Sequence, residues 1–97
     1  MKIFWTKEAE ATFAENISYL EREWNADVIE NFILKTENIL SSIKKNPFLF
    51  PVVSKEKNIH KCIVVKQVSI YYKIKSEQID LLTFWNNFQN PKKLKFK

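Results

Sequence analysis

The chain has 97 residues and a net charge of +5, with one cysteine, one histidine and no glycine. A single cysteine excludes an internal disulfide, and one histidine with one cysteine falls short of an ordinary zinc ligand set. The absence of glycine excludes the phosphate-cradling loops of nucleotide-binding folds.

A hydrophobic fraction of 45% is enough for one packed domain, placed over residues 1–97. Acids come early in "MKIFWTKEAEATF", which argues against a secretory signal. No window approaches the ~20 apolar residues of a membrane span. The chain therefore reads as cytoplasmic, away from the membrane, with neither metal nor cofactor.

"KIFW", Lys2–Trp5, is a short β-like run. Thr6 stands where a helix N-cap is wanted, and Glu8 and Glu10 face the positive end of the helix dipole. Ala9, Phe13, Ile17, Leu20 and Trp24 then follow at helical spacing and form an amphipathic stripe. Asn25 caps a second helix, whose apolar face holds Ile29, Phe32, Ile39, Leu40 and Ile43. Lys44, Lys45 and the "NP" at Asn46–Pro47 end it. So short a joint makes the two helices an antiparallel hairpin.

"PFLFPVVSKEKN", Pro47–Asn58, is irregular. Its prolines forbid a regular helix, and Phe48, Leu49 and Phe50 are expected to fold down on the core. The period then changes to that of strands in Ile59–Val65, Val68–Ile74 and Ile79–Trp85. Their links are of hairpin length, so they form an antiparallel meander. In the middle run Val68, Ile70, Tyr72 and Ile74 share one face, and Ser69, Tyr71 and Lys73 the other. Tyr72 and Trp85 read as core, Cys62 as a small buried residue and His60 as a rim residue. The class is α+β in the order β-α-α-β-β-β: a helical hairpin packed on an antiparallel sheet, with the N-terminal strand at an edge. The tail, residues 92–97, is expected to fray.

Charge is unevenly spread. Residues 1–46 hold six basic against eight acidic side chains, whereas residues 47–97 hold ten lysines against Glu56, Glu77 and Asp80. Such a basic half suits an acidic partner, either nucleic acid or an acidic protein segment. Arg22 is the one arginine, which disfavours bidentate phosphate recognition.

Four pieces, "IFWTKEAEATFAENISYLEREW", "FILKTENILSSIKKNPFLFPV", "HKCIVVKQVSIYYKI" and "IDLLTFWNNFQNPKKL", together resemble the RelE/ParE superfamily of bacterial type II toxins. The last is similar to the family's "WDxRxxP" segment. The resemblance implies a growth-inhibiting toxin silenced by a cognate antitoxin, and meeting operator DNA only through that complex. RelE-like members cut mRNA on the ribosome without metal. ParE-like members share the fold and poison DNA gyrase by binding.

In "WNNFQNP", Asn86 and Phe88 stand where relatives carry acidic and basic residues. Phe88 cannot steady a phosphate, so the sequence leans toward a ParE-like binder of gyrase or other replication machinery, and away from an enzyme. The alternatives are a metal-independent endoribonuclease using Lys61, Lys66, Tyr71 and Tyr72, or a non-toxic remnant. The expected partner-binding residues are Lys61, Tyr71, Lys73, Phe88, Lys92 and Lys93. Of these, Lys61 stands for the family's basic residue on the second strand. Phe88 is expected to pack under the lysine tail or against an antitoxin helix.

Overall fold

The computed structural model describes residues 1–96, which run β1 (Lys2–Trp5), α1 (Lys7–Glu23), α2 (Ala26–Lys45), β2 (Val52–Ser54), β3 (Ile59–Val65), β4 (Val68–Ile74) and β5 (Gln78–Asn86). A 3-10 turn at Pro91–Lys93 follows. Among the described residues no helix is long and apolar enough to cross a membrane.

Both helices start where their caps dictate. The Thr6 hydroxyl accepts from the Ala9 N–H at 3.1 Å and donates to the Leu81 carbonyl at 2.7 Å, which ties the start of α1 to β5. Asn25 Oδ1 accepts from the Val28 N–H at 3.1 Å to begin α2. The stripes then pack the hairpin on one face of the sheet, with Leu20, Phe32 and Ile43 fully buried. An aromatic group seals the layers: Phe13 lies 5.4 Å from Trp5, 5.4 Å from Phe32 and 5.0 Å from Phe84. Burying Phe32 or Phe84 contributes about 1.5–3 kcal/mol each.

The sheet order is β1-β5-β4-β3-β2. The expected meander is present, and β1 joins at the β5 edge. It does so in parallel, with Ile3 opposite Ile79, so the sheet is mixed and not wholly antiparallel. Without glycine, Asn58 alone among the described residues takes left-handed backbone, φ 55°. Its side-chain amide donates to the Ile74 carbonyl at 2.9 Å, which holds it there.

Four expectations need correction. The stretch Pro47–Asn58 contains a strand, β2, which pairs with β3 through Val52 and Ser54 and is too short to show a period. Phe48 and Leu49 do not fold down: they are 67% and 49% exposed. The Tyr72 hydroxyl donates to the Pro47 carbonyl at 2.9 Å and His60 Nδ1 lies 2.8 Å from the Phe50 carbonyl. Pinned at both ends, the loop bows outward between them.

His60 is fully buried and not at the rim, because this loop covers it and its ring stacks on Tyr72 at 5.2 Å. Trp85 is half-buried on the face away from the helices and is not core. A register shift in β5 around Leu82 resets the alternation, so Ile79, Leu81 and then Phe84 point inward while Thr83 and Trp85 point away.

Candidate partner-binding face

Among the described residues no helix covers the second face of the sheet. There Lys61 sits opposite Tyr71, Ile59 opposite Lys73, and Lys73 in turn opposite Asp80. The Lys61 Nζ lies 5.7 Å from the centre of the Tyr71 ring, within cation–π range. Lys61 and Lys73 keep partial exposure. Tyr71 is only 7% exposed, because the ring of Phe96 lies over it at 5.1 Å. The tail expected to fray thus has a path as far as Phe96 (Lys97 lies outside the described residues).

Asp80 is the buried acid of this face. Burial alone would push its carboxyl up, but hydrogen bonds from Lys75 at 2.8 Å and Gln78 at 2.6 Å, with the charges of Lys75 and Lys73, hold it below the usual range. It is thus occupied and ionised.

Of the residues proposed for RNA cleavage, Lys61 and Tyr71 are brought together, but Lys66 and Tyr72 are not. Tyr72 lies on the helix side of the sheet, where its hydroxyl is spent on Pro47. Burial pushes that hydroxyl up to about 12. Lys66 is exposed in the β3–β4 turn, five residues along from Lys61, or roughly 17 Å of strand.

Phe88 leaves the end of β5, is 57% exposed and lies outside the core. The amides before it do structural work. Asn86 Oδ1 accepts from the Phe88 N–H at 2.9 Å. Asn87 joins the β5 exit to the β3–β4 turn: its backbone N–H donates to the Gln67 carbonyl at 2.7 Å, and its side-chain amide donates to Lys66 at 3.1 Å. Its Oδ1 accepts from the Ser69 hydroxyl at 2.8 Å.

Lys92 and Lys93 are exposed on the 3-10 turn. Lys93 edges a groove of about 560 Å³ between α1 and the tail, together with Tyr19, Arg22, Trp85 and Gln89. The predicted residues therefore fall into three places: Lys61, Tyr71 and Lys73 at mid-sheet, Phe88 at the sheet end, and Lys92 with Lys93 on the turn.

Two features of this face escaped sequence reasoning. Phe96 was one; a lone aromatic in a lysine run was the available signal. The other was the occupied state of Asp80, which no local spacing announced.

Two helices laid on one face of a five-stranded mixed sheet define the architecture. Solved structures of several toxins share this fold. A YoeB/ParE toxin from Agrobacterium tumefaciens matches with a TM-score of 0.65 at 12% identity, covering 91% of this chain and 100% of that one. The chromosomal ParDE system of P. aeruginosa gives 0.62 at 13%, covering 89% and 95%. The heterotetrameric YoeB-YefM toxin-antitoxin complex of Staphylococcus aureus gives 0.59 at 13%, covering 91% and 98%. No protein-family model and no curated protein matches the sequence.

Proposed function

We propose that this chain is the toxin of a type II toxin-antitoxin pair, acting in the bacterial cytoplasm and silenced by a cognate antitoxin. It inhibits growth in the ParE-like manner, by gripping DNA gyrase or another part of the replication machinery. The fold supports the toxin role, since the similar structures are toxins, two of them described with their antitoxin systems.

One observation carries the choice of binding over cleavage: the groups on the central strands that could move a proton are withdrawn from solvent. His60, Cys62 and Tyr72 are buried on the helix side, Tyr71 lies under Phe96, and Asp80 is held by Lys75. Burial pushes the Cys62 thiol up to about 11. What faces outward is lysine, which steadies negative charge well and serves poorly as a base at neutral pH.

The test is expression without antitoxin, with purified chain added to gyrase and to translating ribosomes. Arrested growth with inhibited supercoiling is expected. Cleavage of mRNA that disappears in Lys61→Ala would overturn the reading, as would normal growth at full expression.

A further inference from the structure

The turn after α2 holds an apolar tip out in solvent. The Leu49 N–H donates to the Asn46 carbonyl at 3.1 Å and the Phe48 N–H to Asn46 Oδ1 at 3.3 Å, which closes the turn. Tyr72 and His60 then fasten the Pro47 and Phe50 carbonyls on either side of it. Phe48 meets the His60 ring edge to face at 5.9 Å and is otherwise open. Val52, opposite His60, and Val53 carry exposed apolar surface on to the outermost strand. A tip whose backbone is already fixed loses little entropy when it is buried against a partner.

The charge around this tip has one sign. From Lys44 to Lys57 the chain holds four lysines, all exposed, against a single acid, Glu56. The Met1 nitrogen lies 3.2 Å from the Lys44 carbonyl, which brings exposed Met1 and Lys2 to the same end. Among the described residues no salt bridge takes up any of these lysines. A second copy docked here would set lysine against lysine. The patch, a few hundred Å² at most, also falls short of the ~800 Å² per partner that a stable dimer buries. Apolar side chains ringed by lysines suit a surface that is negatively charged outside and apolar beneath.

We propose that this tip attaches the chain to an anionic lipid surface. Phe48 and Leu49 enter the boundary between headgroups and acyl chains, and the lysines around them meet the phosphates. The chain expected to stay away from membranes thus touches a bilayer without crossing it, and needs no spanning helix to do so. The inference goes beyond the toxin reading and does not rest on it.

The test is co-sedimentation of the full chain with vesicles of phosphatidylcholine alone, or of phosphatidylcholine and phosphatidylglycerol in equal parts. Binding to the anionic vesicles is expected to exceed binding to the neutral ones by about ten-fold or more and to fall with salt. Phe48→Ser combined with Leu49→Ser should weaken it by about ten-fold or more, and Lys45→Ala by roughly five-fold. Arg22→Ala should leave it unchanged, since it removes the same charge at the far end of the hairpin, about 30 Å away along α2. These positions lie outside the core, and thermal melts of each variant would confirm that it is folded.

Equal binding to the two kinds of vesicle would overturn the proposal. So would a double variant that binds as well as the unaltered chain, or equal losses in Arg22→Ala and Lys45→Ala, since either leaves diffuse attraction between charges as the cause. Absent vesicle binding would overturn it too. Self-association abolished by the double variant would then assign the tip to a second copy.

Discussion

Asn16 donates its side-chain amide to the Phe84 carbonyl at 2.8 Å, so a helix side chain stands in for a strand that is not there. The last partner of β1 is Trp5, opposite Leu81, which leaves the far half of β5 without a neighbour on that side. Thr12, one turn before Asn16, accepts from the Phe84 N–H at 2.9 Å. Both polar residues lie on the buried side of α1, where a bare β5 edge would otherwise lack partners.

Asn16→Leu should therefore cost about 2 kcal/mol, the penalty of a buried carbonyl left unpaired. Urea denaturation would show it as a lower midpoint. Paired with Thr12→Val in a double-mutant cycle, the two losses should be non-additive, because both act on the backbone of one residue, Phe84.

Asp80 gives the chain an acid-side weakness. Its carboxyl is held below the ordinary range when folded, so the unfolded chain takes up that proton first as pH falls. The stabilisation is complete above the unfolded value of about 4 and is lost as pH drops through the folded one. Because Lys75 is half exposed, the pair is worth no more than about 1 kcal/mol. Asp80→Asn should thus be less stable by about that amount at neutral pH, with the gap to the unaltered chain closing in acid. Melting curves across that range would check it.

Cys62 should be silent toward thiol reagents in the folded state. It is 2% exposed and its thiol lies at about 11, so little thiolate exists at neutral pH and none is accessible. Labelling with a chromogenic disulfide should follow unfolding, at a rate set by denaturant. Prompt labelling of native protein would mean that β3 opens far more readily than its packing implies.

Phe88→Ala separates anchor from core. With the side chain 57% exposed, stability should change by less than about 0.5 kcal/mol. Antitoxin affinity should fall by about 2 kcal/mol if Phe88 fills a partner's pocket. A collapsed melting temperature would assign it a structural role; unchanged affinity would leave it as an exposed turn residue.

The helices were legible because their caps and stripes are local. Thr6, Asn25 and the Asn46–Pro47 stop each act within a few residues, and α1 and α2 begin and end beside them. The meander was legible from alternation, until the shift at Leu82 turned Phe84 inward and Trp85 away. No local rule announces such a shift. His60 looked like a rim residue because its cover, the Pro47–Pro51 loop, is pinned by hydrogen bonds to residues distant in sequence. At the candidate site, the period alone put Tyr71 and Lys73 on one face, whereas the place of Lys61 opposite Tyr71 comes from the strand register. That Tyr71 is capped by Phe96, 25 positions later in the chain, depends on tertiary packing and left no periodic trace.

The pairing of β1 with β5 bears on how the molecule comes into being. Lys2–Trp5 are zipped to a segment that begins at Gln78, so during synthesis they must wait until that distant segment has been made. A nascent chain stalled before that point lacks β5, and with it both the partner of β1 and one neighbour of β4. Closing so long a loop is a slow step, so the β1 edge is the last part of the sheet to be sealed.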